Sequence, residues 1–167
     1  VKGMIPGENL LIGQFLQKYF RVSPQKFMVI TGPCHAEEVA AEKLSFLTLA
    51  AEDASMATPL LPLFQNRYLQ IKASDDPSGS EYASVMKNIY AIAAGLAQGL
   101  GYGDNFQAVL VSNALREMKR VINAVHPIKR QIIQTEYSGD LFVTMYSPFS
   151  RNRRLGLLLG KGYSLSA

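Results

Sequence analysis

At Asp75-Asp76-Pro77-Ser78-Gly79 the chain changes its hydrophobic period, and that change sets what it can fold into. Upstream, compact apolar runs at 27–32, 46–50 and 68–72 read as strands. Between them lie stretches of helical spacing at 9–20, 35–43 and 55–65, the last weakened by Pro59 and Pro62. Strands alternating with helices predict an α/β layer with a largely parallel sheet. Val1-Lys2-Gly3-Met4 reads as the end of a strand entering a turn. Downstream, nearly every segment has helical spacing. Helices are predicted over about 80–98, 104–125, 128–135 and 140–146, and from a Ser150 cap to about residue 160. Asp104 followed by Gln107 predicts a capping box at the second of these. The expected fold class is α/β followed by all-α, with the division between 1–75 and 76–167.

The chain has 167 residues, 48% of them hydrophobic, which is enough to bury a core. Its net charge of +4 is spread along the chain apart from Arg151-Asn152-Arg153-Arg154. That cluster is too short, and too poor in flanking aromatics, for a nucleic-acid stripe. A mildly basic balance equally suits an enzyme handling phosphorylated substrates. Cys34 is the only cysteine, which excludes an intrachain disulfide and makes cytoplasmic placement the expectation. His35 and His126 are the only histidines, so no metal-ligand spacing is present. No apolar run is long enough for a membrane helix, and the first residues do not read as a signal peptide.

Lys87 is the only formal charge between Glu81 and Asp104, inside the apolar helical run 82–94. Its helical neighbours Ser84, Tyr90, Ala83 and Ala91 offer no carboxylate. Burying an unpartnered ammonium is costly, and desolvation lowers a lysine pKa towards the range where it can take and return a proton. The alternative is a lysine that snorkels out of a mostly buried helix. Asp140, in Ser138-Gly139-Asp140-Leu141, reads as a helix N-cap, and the same carboxylate could also orient this ammonium.

Ser147-Pro148-Phe149-Ser150-Arg151-Asn152 holds a second candidate site. Ser150 is a good N-cap, and arginine just beyond it opposes the positive end of the helix dipole. A bound anion resolves that conflict, with first-turn amides, Arg151 and Asn152 gripping a phosphate. An exposed basic helix start is the competing reading. Gly32-Pro33-Cys34-His35 follows a strand end, where open α/β sheets place ligands. Cys34 reads as a packed thiol and His35 as a helix-start residue. Gly99-Leu100-Gly101-Tyr102-Gly103 is glycine-rich, but it joins two helices rather than a strand and a helix. It is predicted to be a helix stop with a left-handed glycine.

These segments stand in the order of a known family. The chain resembles the NAD(P)-dependent sn-glycerol-3-phosphate dehydrogenases of bacterial type, over nearly its whole length. The resemblance is carried by VKG at 1–3, GPCHAEEVA at 32–40, KNIYAIAAGLAQGLGYGDN at 87–105, GDL at 139–141 and SRNRRLGLLLGKG at 150–162. It implies the later part of a Rossmann-like NAD-binding domain over 1–75. Over 76–167 it implies a helical substrate domain of the 6-phosphogluconate dehydrogenase-like type. The implied reaction interconverts sn-glycerol 3-phosphate and dihydroxyacetone phosphate by hydride transfer with NAD or NADP, supplying glycerol 3-phosphate for phospholipid synthesis. Lys87 falls on the family's proton-accepting lysine. Lys2, Gly32, Cys34, Asp140, Ser150, Arg151 and Asn152 fall on substrate contacts, and Lys2, Ala36 and Arg151 on cofactor contacts.

The chain departs from the family pattern at three places. Cys34 stands where serine or threonine is usual, Glu136-Tyr137-Ser138-Gly139-Asp140 replaces AGLGD, and Tyr82-Ala83-Ser84 replaces a glycine-rich approach to the lysine. The family's opening strand, GxGxxG-type loop and helix do not precede Val1, so the chain alone is expected to be inactive. A homodimer is compatible with the resemblance. The rival expectations are a β-hydroxyacid-type dehydrogenase of the same superfamily, sharing the lysine-asparagine helix, and a non-catalytic helical interaction module.

Overall fold

The structure is a computed structural model of the chain and describes residues 3–164. Strands β1 (Met4–Ile5) and β2 (Leu10–Leu11) form a small antiparallel ladder that leads directly into helix α1 (Ile12–Phe20). The start of α1 is tied down twice. Gln14 Oε1 accepts from Leu11 N–H at 2.9 Å, and Glu81, far along the chain, accepts from Gly13 N–H at 3.1 Å. Burial pushes the Glu81 carboxyl up, outweighing the helix-start N–H groups that favour its charge.

The main sheet contains β3 (Val29–Thr31), β4 (Ser45–Ala50) and β5 (Leu69–Ser74), in that order. Between β3 and β4 lies the short helix α2 (Ala36–Ala40); α3 (Ala54–Ala57) and α4 (Leu61–Phe64) separate β4 from β5. The expected helix over 55–65 is broken into these two pieces by a 3₁₀ turn at Thr58–Leu60, as Pro59 and Pro62 require. The sheet is mixed, which corrects the expectation of a largely parallel one. β4 and β5 are parallel, but β3 runs antiparallel to β4 with Thr31 opposite Thr48. Gly32, at φ +132°, turns the chain so closely over β4 that a Cβ would lie 2.6 Å from Phe46 O. Phe46 N–H then bonds to Pro33 O, so the segment with α2 closes a wide hairpin instead of crossing over.

Helix α5 (Pro77–Gly99) follows the sheet without a linker. Pro77 occupies its first position, and Asp76 caps it by accepting from Gly79 N–H at 2.8 Å. Asp76 is also a tertiary hub. Its other oxygen accepts from Tyr137 Oη at 2.6 Å and from Arg130 Nε at 2.8 Å, and the Arg130 side chain is only 3% exposed. Burial pushes the Asp76 carboxyl up, but Arg130, Tyr137 and the Gly79 amide together hold it below its usual 3.8. Burial, followed by the Asp76 carboxylate, pushes the Tyr137 hydroxyl well up, so it remains a donor.

A depressed native pKa contributes stability above the unfolded value, and that stability is lost as pH falls through the native value. The chain is therefore expected to lose stability from about pH 4 downward. Asp76→Ala should remove that part of the acid dependence and destabilise by about 3–5 kcal/mol, because it leaves Arg130 buried without its carboxylate. Urea unfolding at pH 7 and pH 3 checks both statements.

Helix α5 ends in the predicted glycine stop, with Gly101 at φ +89° and Tyr102 N–H bonded to Ala97 O. Helix α6 (Asp104–Val125) packs Val111, Ala114, Met118 and Ile122 against Ala83, Tyr90 and Ala94 of α5. The expected capping box is absent. Gly103 is the N-cap, and the Gln107 amide instead donates to Ala94 O at 2.9 Å, because the helix crossing puts a tertiary acceptor within reach. The helix expected near 128–135 does not form. Arg130 is drawn back to His126 O and to Asp76, and residues 128–131 run as irregular backbone into a short turn at 132–133.

A single π turn (Thr135–Gly139) then passes into α7 (Asp140–Tyr146), whose Leu141 and Met145 complete the core with Tyr137. Helix α8 (Arg151–Gly160) lies along α5 in unusually close contact. A Cβ on Gly156 would fall 2.0 Å from Ile92 O, and one on Gly95 would fall 1.9 Å from Arg153 O. Gly99 and Gly160 meet in the same way one turn further on. Only glycine at these four positions lets the two backbones approach so near.

Candidate active site

Lys87 lies one turn beyond Ser84 on α5, with its side chain 11% exposed. Its Nζ donates to Asp140 Oδ1 at 2.6 Å. The carboxylate that its helical neighbours do not provide comes from 53 residues later, at the first residue of α7. Asp140 is therefore the ammonium's partner and not an N-cap. Its other oxygen accepts from Thr31 Oγ1 at 3.1 Å, and Thr31 Oγ1 lies 3.0 Å from Ser84 Oγ. Thr31, Ser84 and Asp140 are all buried, so the end of β3, the middle of α5 and the start of α7 meet in one polar cluster. An ion pair withdrawn from water needs such further hydrogen bonds to hold its geometry.

The sheet extends this cluster sideways. Thr31, Thr48 and Lys72 are cross-strand neighbours in one row. Lys72 Nζ lies 2.8 Å from Glu136 Oε2, and Thr48 Oγ1 donates to the same oxygen at 3.5 Å. Glu136 is completely buried, one π turn ahead of Asp140.

The loop after β3 lies over this region. Pro33 packs close to Gly139, just ahead of Asp140, and Cys34 is half-buried. His35 caps α2, as expected, and its ring stands 6.1 Å from that of Phe149. That contact brings the start of α2, with Ala36 exposed at its first position, beside the start of α8. There Ser150 Oγ accepts from Arg153 N–H at 3.3 Å, confirming the cap, and Ser150 O accepts from Arg154 N–H. The amides of Arg151 and Asn152 have no partner among the described residues, and the Arg151 side chain is exposed. This geometry suits an anion. Lys2, the remaining candidate, lies outside the described residues.

The structure thus brings Lys87 and Asp140 together, lays the 32–35 loop against Gly139 through Pro33, and sets His35, just ahead of Ala36, beside Phe149, just ahead of Ser150. Sequence reasoning missed Thr31, Thr48, Lys72 and the role of Glu136. The available signal was polarity within an apolar context: Thr31 ends a hydrophobic strand, and Ser84 precedes Lys87 by one turn on the buried face. Among the described residues no group of side chains could hold a metal ion, and no helix is long and apolar enough to cross a membrane.

Comparison with known proteins identifies the family over nearly the whole chain. Residues 1–57 match the model of the NAD-dependent glycerol-3-phosphate dehydrogenase N-terminus, and residues 76–167 that of its C-terminus. A glycerol-3-phosphate dehydrogenase (NAD(P)+) of Lacticaseibacillus paracasei is 39% identical over 165 residues, covering 98% of this chain and 47% of the relative. One from Limosilactobacillus reuteri is 41% identical over 141 residues, covering 84% of this chain and 42% of the relative. The crystal structure of the Coxiella burnetii glycerol-3-phosphate dehydrogenase superposes with a TM-score of 0.87 at 31% identity, covering 98% of this chain and 49% of that one. The chain spans about half the length of the curated relatives it matches. With the helical half matched from residue 76 onward and the residues up to 57 matched as well, the chain belongs to the NAD-dependent glycerol-3-phosphate dehydrogenase family.

Proposed function

We propose that this chain is the substrate-handling portion of an NAD(P)-dependent oxidoreductase that interconverts sn-glycerol 3-phosphate and dihydroxyacetone phosphate. The observation that carries this reading is the buried Lys87–Asp140 pair, 2.6 Å long and braced by Thr31 at a strand end. In the oxidative direction, neutral Lys87 accepts the proton of the secondary hydroxyl. The ammonium so formed sits against Asp140, whose carboxylate is already oriented and needs no rearrangement. Arg151, Asn152 and the first-turn amides of α8 hold the phosphate, which fixes the reacting carbon near Lys87.

Bound NAD(P) supplies the hydride acceptor, and Ala36, exposed at the start of α2, fits its edge. In this reading 1–75 is the later part of the dinucleotide-binding domain and 76–167 the substrate domain. The product is a precursor for phospholipid synthesis, and the single cysteine supports a cytoplasmic setting.

Arg151→Ala tests the anion grip. In an active enzyme containing this chain, it should raise KM for glycerol 3-phosphate about tenfold, since a hydrogen bond to a charged group is worth about 1.5–3 kcal/mol. Weak activity towards unphosphorylated glycerol should barely change. Equal losses with both substrates would assign Arg151 to the cofactor or to structure, and the phosphate site would have to be sought elsewhere.

A further inference from the structure

Glu136 poses an electrostatic problem that the proposed reaction does not use. Its side chain is fully buried; Oε2 faces Lys72 and Thr48, while Oε1 has no hydrogen-bond partner. It stands at one of the places where the sequence leaves the family pattern. It lies four residues before Asp140, and Thr48, which holds it, is the direct cross-strand neighbour of Thr31, which holds Asp140. Two carboxylates and two ammonium groups are thereby strung along one seam between sheet and helices: Lys87, Asp140, Glu136, Lys72.

Resting on the assignment of Lys87 as the base, we propose that Lys72 and Glu136 form a positioning pair for that lysine. The pair fixes the turn that presents Asp140, and Lys72 cancels a second buried negative charge that would otherwise tighten Lys87's hold on its proton. A base that must give up and regain a proton works best when its affinity lies near the operating pH, so an uncompensated carboxylate beside it would hinder it. Lys72, 41% exposed, reaches from β5 into the seam and also lies 3.5 Å from Gln134 Oε1. Its stem spans the junction while its head group meets Glu136.

The other charged groups on α5 and on the helices α6 and α8 packed against it are Glu81, then Asp104, Arg116, Glu117, Lys119 and Arg120 on α6, and Arg151, Arg153 and Arg154 on α8. All of them are left unaltered in the variants below, so they contribute a constant background.

The test reads Lys87 directly by the pH titration of its ¹³Cε resonance in the chain, assigned by its absence in Lys87→Arg. Glu136→Gln should lower the Lys87 midpoint by about one pH unit, and Lys72→Met should raise it by about one unit, as single charges on one partly screened seam do. The double variant Lys72→Met/Glu136→Gln should return it to within about half a unit of the starting value. Opposite shifts that cancel are the signature. A pair that only stabilises the fold would move melting temperatures without moving this midpoint, and that result, or shifts of the same sign in both single variants, overturns the proposal. The double variant removes both charges together, so it remains folded enough to read if Lys72→Met alone does not. In an active enzyme containing the chain, the acidic limb of kcat/KM should follow the measured midpoint. A limb that ignores a midpoint that has shifted overturns the assignment of Lys87 as the base and leaves the charge coupling standing.

Discussion

Lys87→Met in an active enzyme containing this chain should lower kcat by about three orders of magnitude, in the range that loss of a general base produces. Two effects must be separated in that variant. The proton acceptor is removed, and Asp140 is left buried without its counter-charge, which alone destabilises by about 3–5 kcal/mol. Lys87→Met/Asp140→Asn removes both charges and should recover most of the stability while recovering none of the activity. Lys87→Arg keeps the ion pair but should not restore turnover, because a guanidinium does not release a proton near neutral pH. Single-turnover measurement of nicotinamide absorbance, beside thermal unfolding of each variant, resolves the two effects. Near-normal turnover in Lys87→Met or Lys87→Arg would sink the assignment.

The positions of Lys87 and of the α8 start were legible because each breaks a local rule. A lone charge in an apolar helix and arginines at the positive end of a helix are both conflicts that a sequence displays openly. Asp140 was legible only as two alternatives, because a carboxylate ahead of an apolar helix looks the same whether it caps that helix or faces an ammonium. The strand order was not legible. Whether residues 32–44 close a hairpin or cross over depends on one glycine's close approach to β4, and a sequence does not show what its chain will lie against. Gln107 was misread for a related reason: the capping pattern is local, and the acceptor that captured its amide belongs to another helix. The bracing residues Thr31 and Thr48 are small, uncharged and usual in strands, so nothing local marks them.

Gly156→Ala should be among the most damaging conservative changes in the helical half. In an exposed helix this substitution gains roughly 1 kcal/mol. Here the new methyl would fall 2.0 Å from Ile92 O, a rigid backbone atom in the middle of α5. Overpacking of this kind costs about 3 kcal/mol or more, so the net loss is about 2 kcal/mol, or roughly 4–8 °C in Tm for a chain of this size. The same change should raise KM for a phosphorylated substrate, because forcing α8 away from α5 moves Arg151 and Asn152 relative to Lys87. Calorimetry and initial-rate kinetics on the one variant check both. A Tm within a degree of the parent would mean that the glycine seam is looser than these distances imply.

The π turn carries a consequence for how this chain can change over generations. Asp140 N–H reaches back five residues to Thr135 O, so the turn holds one residue more than an α-helical turn would. Substitutions within it alter side chains, but a one-residue deletion would alter the phase of everything attached to it. Each residue of helix corresponds to about 100° of rotation. After a deletion, either α7 keeps its place and Glu136 and Tyr137 rotate off Lys72 and Asp76, or those anchors hold and Asp140 rotates away from Lys87. No compromise retains both. Length variation among descendants of this sequence should therefore be absent between Thr135 and Gly139, while the exposed stop at 100–103, which carries no such phase, can lengthen or shorten without reaching the site.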